Sequence, residues 1–192
     1  MKAVPSEKFD FITSLASANT FHAVAKGCLN DYKKNNQISP TIVFASATNY
    51  GLSIELYLKT LIIMEGREKP HGHDLDILYN KLTTNLQHKI NRKYQLLNGE
   101  DRKETLYLKA SLENSNPDNL NNMPERGTKL KQLLKNNKDI FIMYRYMFER
   151  GRQKKWEYFY FEYGNFDLVC EALKIIANDL LSDKEQLKVK RT

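Results

Sequence analysis

The apolar residues of this chain recur at helical spacing over most of its length. Phe9, Ile12 and Ala16 begin a broad stripe that runs on to Val24 and Cys28, and Ser6 is placed as an N-cap before Glu7. This predicts a first helix from about Ser6 to Val24 or Cys28. Lys33, Lys34, Asn35, Asn36 and Pro40 then break the pattern between Asn30 and Pro40. A second helix is expected from near Pro40, a residue tolerated in a first turn, to about Glu65, with Gly66 ending it. Its apolar residues (Ile42, Val43, Phe44, Leu52, Ile54, Leu56, Leu58, Leu61, Ile62, Ile63) cover most of its circumference, which makes it the most buried element. Ala45, Ala47, Gly51 and Ser53 leave room for neighbouring helices to come close.

Further along, Leu75, Leu78, Tyr79 and Leu82 predict a third helix that starts at His73 or Asp74, with Asp74 suited to the positive helix end. Thr84 to Leu97 continues in a helical, strongly basic style, and Asp101 to Leu112 reads as one more helix. The Asn- and Pro-rich stretch from Asn114 to Pro124 is an exposed loop, since too little chain follows it for a second core. Lys129 to Arg150 returns to helix with a break near Asn136-Asn137. Asn165 caps a last helix with one clean face of Phe166, Val169, Cys170, Leu173, Ile176, Ala177 and Leu180. Before it lies the aromatic strip Lys154 to Tyr163, which either stacks bases or covers the helical core or a dimer contact. The expected fold is all-α, an up-and-down bundle of four to five main helices with a short aromatic-rich insertion before the last. It forms a single domain over 1–192 with a basic tail at 183–192.

Composition narrows the class. With 192 residues, 41% of them hydrophobic, the chain supports a real core. The longest uncharged stretch, Asn35 to Ile54, is too polar for a membrane span, and Lys2 is soon followed by Glu7 and Asp10 with no early apolar run. No membrane association and a cytoplasmic location are therefore expected. Cys28 and Cys170 sit among apolar residues and read as small buried thiols in a reducing compartment.

Charge adds a candidate function. The net charge is +7, and between Arg126 and Lys155 the basic residues Arg126, Lys129, Lys131, Lys135, Lys138, Arg145, Arg150, Arg152, Lys154 and Lys155 face only Asp139 and Glu149. Such a block attracts nucleic acid or another polyanion through phosphate contacts and counterion release, with Arg145, Arg150, Arg152, Lys154 and Lys155 as its candidate patch.

Two further groups are candidates for chemistry. Glu55 and Lys59 lie one turn apart in an otherwise apolar helix, where each needs a partner. Arg145, also in an apolar setting, is the candidate to meet Glu55. The pair reads as a polar clamp between core helices, with an active-site carboxylate as the competing reading. His71, His73 and Asp74 lie close together, but no other His or Cys pair supplies a matching half-site, so neither metal nor cofactor is expected. His73 is read as a helix-start residue that bonds to loop backbone.

Taken in order, Glu55 and Lys59, Gly66, His73-Asp74-Leu75, and later Tyr144-Arg145-Tyr146 with Glu149 resemble the HEPN superfamily (higher eukaryotes and prokaryotes nucleotide-binding) over roughly Ser6 to Leu181. The resemblance implies an all-α bundle, frequent homodimers, and roles in RNA cleavage, in toxin–antitoxin or defence systems, or in partnership with a nucleotidyltransferase. Members that cleave RNA carry an Arg and, a turn or two later, a His, late in the fold. Here the last histidine is His88, so Arg145, Arg150 and Arg152 have no His downstream, and Arg67 with His73 lies in a loop too early in the chain. The expectation is a HEPN-like non-catalytic module, dimeric, that binds RNA, a nucleotide or a partner protein. One alternative is a metal-independent endoribonuclease in which Arg145 stabilises the phosphorane charge while Glu149 and Tyr146 handle the proton. Another is a structural dimerisation protein.

Overall fold

A computed structural model of the chain describes residues 10–34, 42–98, 129–145 and 161–189. Every regular element among them is a helix: α1 (Phe11–Lys34), α2 (Ile42–Met64), α3 (Leu75–Asn80), α4 (Thr84–Asn98), α5 (Leu130–Asn136), α6 (Ile140–Arg145) and α7 (Tyr163–Val189). The fold is an all-α bundle, with α2 at its centre against α1, α3, α6 and α7. The predicted helices at Asp101–Leu112, the loop at 114–124, the aromatic strip up to Tyr160 and the last residues of the tail lie outside the described residues.

The pairing of α1 with α2 follows from small hydroxyl residues set seven apart. Ser46 Oγ donates to Ala25 O at 2.8 Å, Ser53 Oγ donates to Ala18 O at 2.8 Å, and the hydroxyls of Thr60 and Ser14 lie 2.7 Å apart. As α2 advances, its partners on α1 step backwards, so the two helices are antiparallel. Short side chains at these positions let the helices approach closely, and each hydroxyl finds an acceptor that keeps its burial from being costly. The inward side of α2 is mainly apolar and deeply buried: Ala47, Ile54, Tyr57, Leu58 and Leu61 are all fully inaccessible. Gly51 faces α6, where a Cβ would meet Ile140 Cγ2 at 2.5 Å.

Several element ends differ from the sequence expectation. At α1 the capping residue is Asp10, whose Oδ1 accepts from the amides of Ile12 and Thr13 at 3.0 and 3.1 Å; Ser6, the expected cap, lies outside the described residues. The helix continues through Asn30 to Lys34, with Asn30 and Asp31 exposed on it, so these polar residues do not break it. Ala45, expected at a helix contact, is exposed. At the far end of α2, Gly66 sits at φ 79° and the amides of Gly66 and Arg67 return to Ile63 O and Ile62 O, a Schellman closure.

Helices α3 and α4 are separated by a tight corner at Lys81–Thr83, which Glu65 holds. Its carboxylate accepts from the Thr83 amide at 2.9 Å and from the Thr83 hydroxyl, while Thr83 Oγ1 accepts from Leu86 N at 3.3 Å to cap α4. The break near Asn136-Asn137 falls between α5 and α6, where Asn137 closes α5. The last helix starts at Tyr163, two residues before the expected Asn165 cap; Asn165 instead donates its side-chain amide to Glu162. None of the described helices is long and apolar enough to cross a membrane.

Candidate functional site

Three polar features stand out on or within this bundle. The first is built around Glu55, which α2 buries to 3% exposure. Lys59, one turn on, donates to Glu55 Oε1 at 2.8 Å, and His73 Nδ1 lies 3.0 Å from each carboxylate oxygen. His73 reaches back because the chain reverses through Gly66 and Gly72, both at positive φ, and its ring then rests 5.5 Å from Phe141 of α6. Next to it, Asp74 caps α3 by accepting from Ile77 N at 2.9 Å, while the Leu75 amide donates to Lys138 O at 3.0 Å. One cluster thus ties α2, the α3 entry and the α5–α6 connection together. Of the side chains of Glu55, Lys59, His73 and Asp74, that of His73 is the most exposed, at about half.

The second feature joins α1 to α7. His22 is 4% exposed, and its Nε2 lies 2.7 Å from Asp167 Oδ1 while its Nδ1 lies 3.8 Å from Glu171 Oε1. Lys26 Nζ approaches the same Asp167 oxygen at 3.2 Å, and the Tyr50 ring lies 5.7 Å from that of His22. Burial pushes the Asp167 carboxyl up, but the bond to His22 and the Lys26 charge outweigh it and hold the group below its ordinary value. Burial and the neighbouring Asp167 charge push the Tyr50 hydroxyl far above its ordinary value, so it stays a donor at any physiological pH.

The third is a surface. Leu86, Ile90 and Tyr94 turn one face of α4 into the core against α7, and the opposite face presents Asn85, His88, Lys89, Arg92 and Leu96. No Asp or Glu occurs anywhere in α4, so its cations are not neutralised within the helix. Lys129, Lys131, Lys135 and Lys138, exposed along and beside α5, add positive charge elsewhere on the molecule.

The residues expected from sequence are distributed unevenly over these features. Glu55, Lys59, His73 and Asp74 form the first cluster, with one correction. His73 bonds to the Glu55 carboxylate and not to loop backbone, since the reversal at Gly72 sets its ring over α2. Glu55 takes Lys59 and His73 as partners; Arg145, the partner expected for it, closes the backbone of α6, and its side chain is outside the described ones. Tyr146, Glu149, Arg150, Arg152, Lys154 and Lys155 lie outside the described residues. His71 is exposed in the loop before α3.

The His22 cluster was not anticipated. Its one trace in the sequence is a pair of i, i+4 polar steps, His22 with Lys26 and Asp167 with Glu171, each at the margin of an apolar stripe. Such steps are ordinary on surface helices, and only the fold shows that these two face each other. Comparison with known proteins adds no name to this geometry: no family model, no curated protein and no solved structure matches the chain.

Proposed function

We propose that this chain is a HEPN-like helical module that binds RNA or a comparable phosphate polyanion through the exposed face of α4. The observation that carries the reading is the composition of that face: His88, Lys89 and Arg92 exposed on successive turns of a helix that contains no carboxylate. The Lys89 and Arg92 cations, with no carboxylate in their own helix, attract phosphates and gain from counterion release on binding. The basic run that includes Arg145, Arg150, Arg152, Lys154 and Lys155 extends the same attraction. The order of Glu55, Lys59 and His73-Asp74-Leu75 along the chain, together with the all-α bundle, supports the family resemblance. Through it comes the proposed setting: a homodimer in a toxin–antitoxin or defence system, with a nucleotidyltransferase as a candidate partner.

Non-catalytic binding is favoured over cleavage by what surrounds the basic residues. The chain has no histidine after His88, and the two described histidines that contact carboxylates, His22 and His73, are tied into helix-joining clusters. Fluorescence anisotropy with a labelled single-stranded RNA tests the proposal. Binding that weakens steeply as salt rises, with the RNA recovered intact, is the expected result. Absent binding, or binding indifferent to salt, refutes it, and RNA cut in an Arg145-dependent way establishes the endoribonuclease alternative instead.

A further inference from the structure

The outer surface of α4 is made of two neighbouring ridges of residues set one turn apart. Along one lie His88, Arg92 and Leu96, all exposed, and along the other lie Asn85, Lys89 and Lys93. The second ridge is what a phosphate-binding helix requires. The first is not, because it places an imidazole, a planar guanidinium and a leucine in line. Leu96 is 68% exposed, the most exposed of the large hydrophobic residues among the described ones. A single leucine at a surface is ordinary. What sets this one apart is its company: every other exposed residue of α4 is polar, and the two that precede it along the ridge carry flat groups of the kind that stack on bases.

We propose that the ridge of His88, Arg92 and Leu96 contacts the bases of single-stranded RNA while Lys89 and Lys93 hold its phosphates. This rests on the RNA reading of α4 given above and adds to it the class of RNA, unpaired and with its bases turned towards the protein. In a duplex the bases are stacked on one another and the major groove is too narrow for side chains to read, so Leu96 would meet only hydrated backbone. In a single strand the faces of the bases are open, and an imidazole, a guanidinium and an apolar side chain can each lie against one. Arg92 belongs to both sets, its charge acting on phosphates and its flat face on a base.

A surface that binds by phosphates alone has the opposite preference. A duplex concentrates more charge along its length than a single strand, and its salt dependence is steeper, about 0.9 against about 0.7 for each phosphate neutralised. A purely cationic α4 therefore favours the duplex. Contacts to base faces release no counterions, so they raise affinity without steepening its dependence on salt.

Fluorescence anisotropy over a range of salt, at about pH 8 to limit imidazolium charge, compares an unstructured single-stranded RNA with a blunt RNA duplex of the same length. The unaltered chain and the His88→Ala/Leu96→Ala variant are both measured. The two replaced side chains are exposed and make no hydrogen bond or ion pair with a described residue, and far-UV circular dichroism checks that the variant folds. The unaltered chain is expected to bind the single strand at least about tenfold more tightly than the duplex at equal salt, and the variant to bind the single strand roughly fivefold or more weakly with an unchanged salt slope. Three results overturn the proposal: a duplex bound as tightly as the single strand, a variant as tight as the unaltered chain, or a loss that shows as a shallower slope. In each of these the chain still binds RNA, and the phosphate reading of α4 stands. Absence of binding to both forms removes that reading and this inference with it.

Discussion

Gly51 shows how one residue sets a helix contact. The backbone of α6 passes so close that a Cβ at this position would stand 2.5 Å from Ile140 Cγ2 and 3.2 Å from the Phe141 amide nitrogen, and backbone cannot rotate out of the way. Gly51→Ala gains helix propensity but forces α6 outward, and overpacking of this kind costs about 1–3 kcal/mol. Urea unfolding is expected to show that loss with an unchanged m value. Asp167 gives a prediction in pH. Because its folded pKa lies below the ordinary carboxylate value of about 3.9, its contribution to stability is complete above that value and is lost as pH falls through the folded pKa. Asp167→Asn therefore lowers stability at neutral pH and flattens the decline below about pH 4, a comparison that unfolding curves at pH 7 and pH 3 make directly.

Short elements depend on their ends more than long ones do, and α3 is only six residues long. Its single side-chain cap is the bond from Ile77 N to Asp74, so Asp74→Ala is expected to cost about 1 kcal/mol and to raise hydrogen exchange at Ile77 and Leu78 before the rest of the bundle is affected. Helices of this kind were legible in the sequence wherever an apolar stripe met a local stop signal. The long central α2, its Gly66 end and the Asp74 start of α3 all rest on residues within a few positions of the feature they cause. What could not be read depends on reversal of the chain. The contact between His22 and Asp167 spans 145 positions, and nothing near either residue records the other. His73 as a partner of Glu55 was hidden for a related reason: both residues were singled out, but their meeting depended on how tightly Gly66 and Gly72 turned the loop. Arg145 was expected as a partner on charge and apolar context, and its side chain lies outside the described ones. At the start of α1, Ser6 and Asp10 both suit a cap; Ser6 lies outside the described residues, and Asp10 accepts from the amides of Ile12 and Thr13.

At the scale of the molecule, charge is segregated between helices that touch. α7 carries Asp167, Glu171, Asp179, Asp183 and Glu185 against three lysines, while its neighbour α4 has cations and no carboxylate. The His22 cluster draws its carboxylates from the acidic helix, and the proposed RNA face lies on the basic one. The most direct test of the RNA proposal is the salt dependence of single-stranded RNA binding by the unaltered chain and by the Lys89→Ala/Arg92→Ala double variant. If α4 is the interface, the double variant binds more weakly and the slope of log K against log salt falls in magnitude by about 1.4, the loss of two phosphate contacts at about 0.7 each. An unchanged affinity and slope would contradict the account.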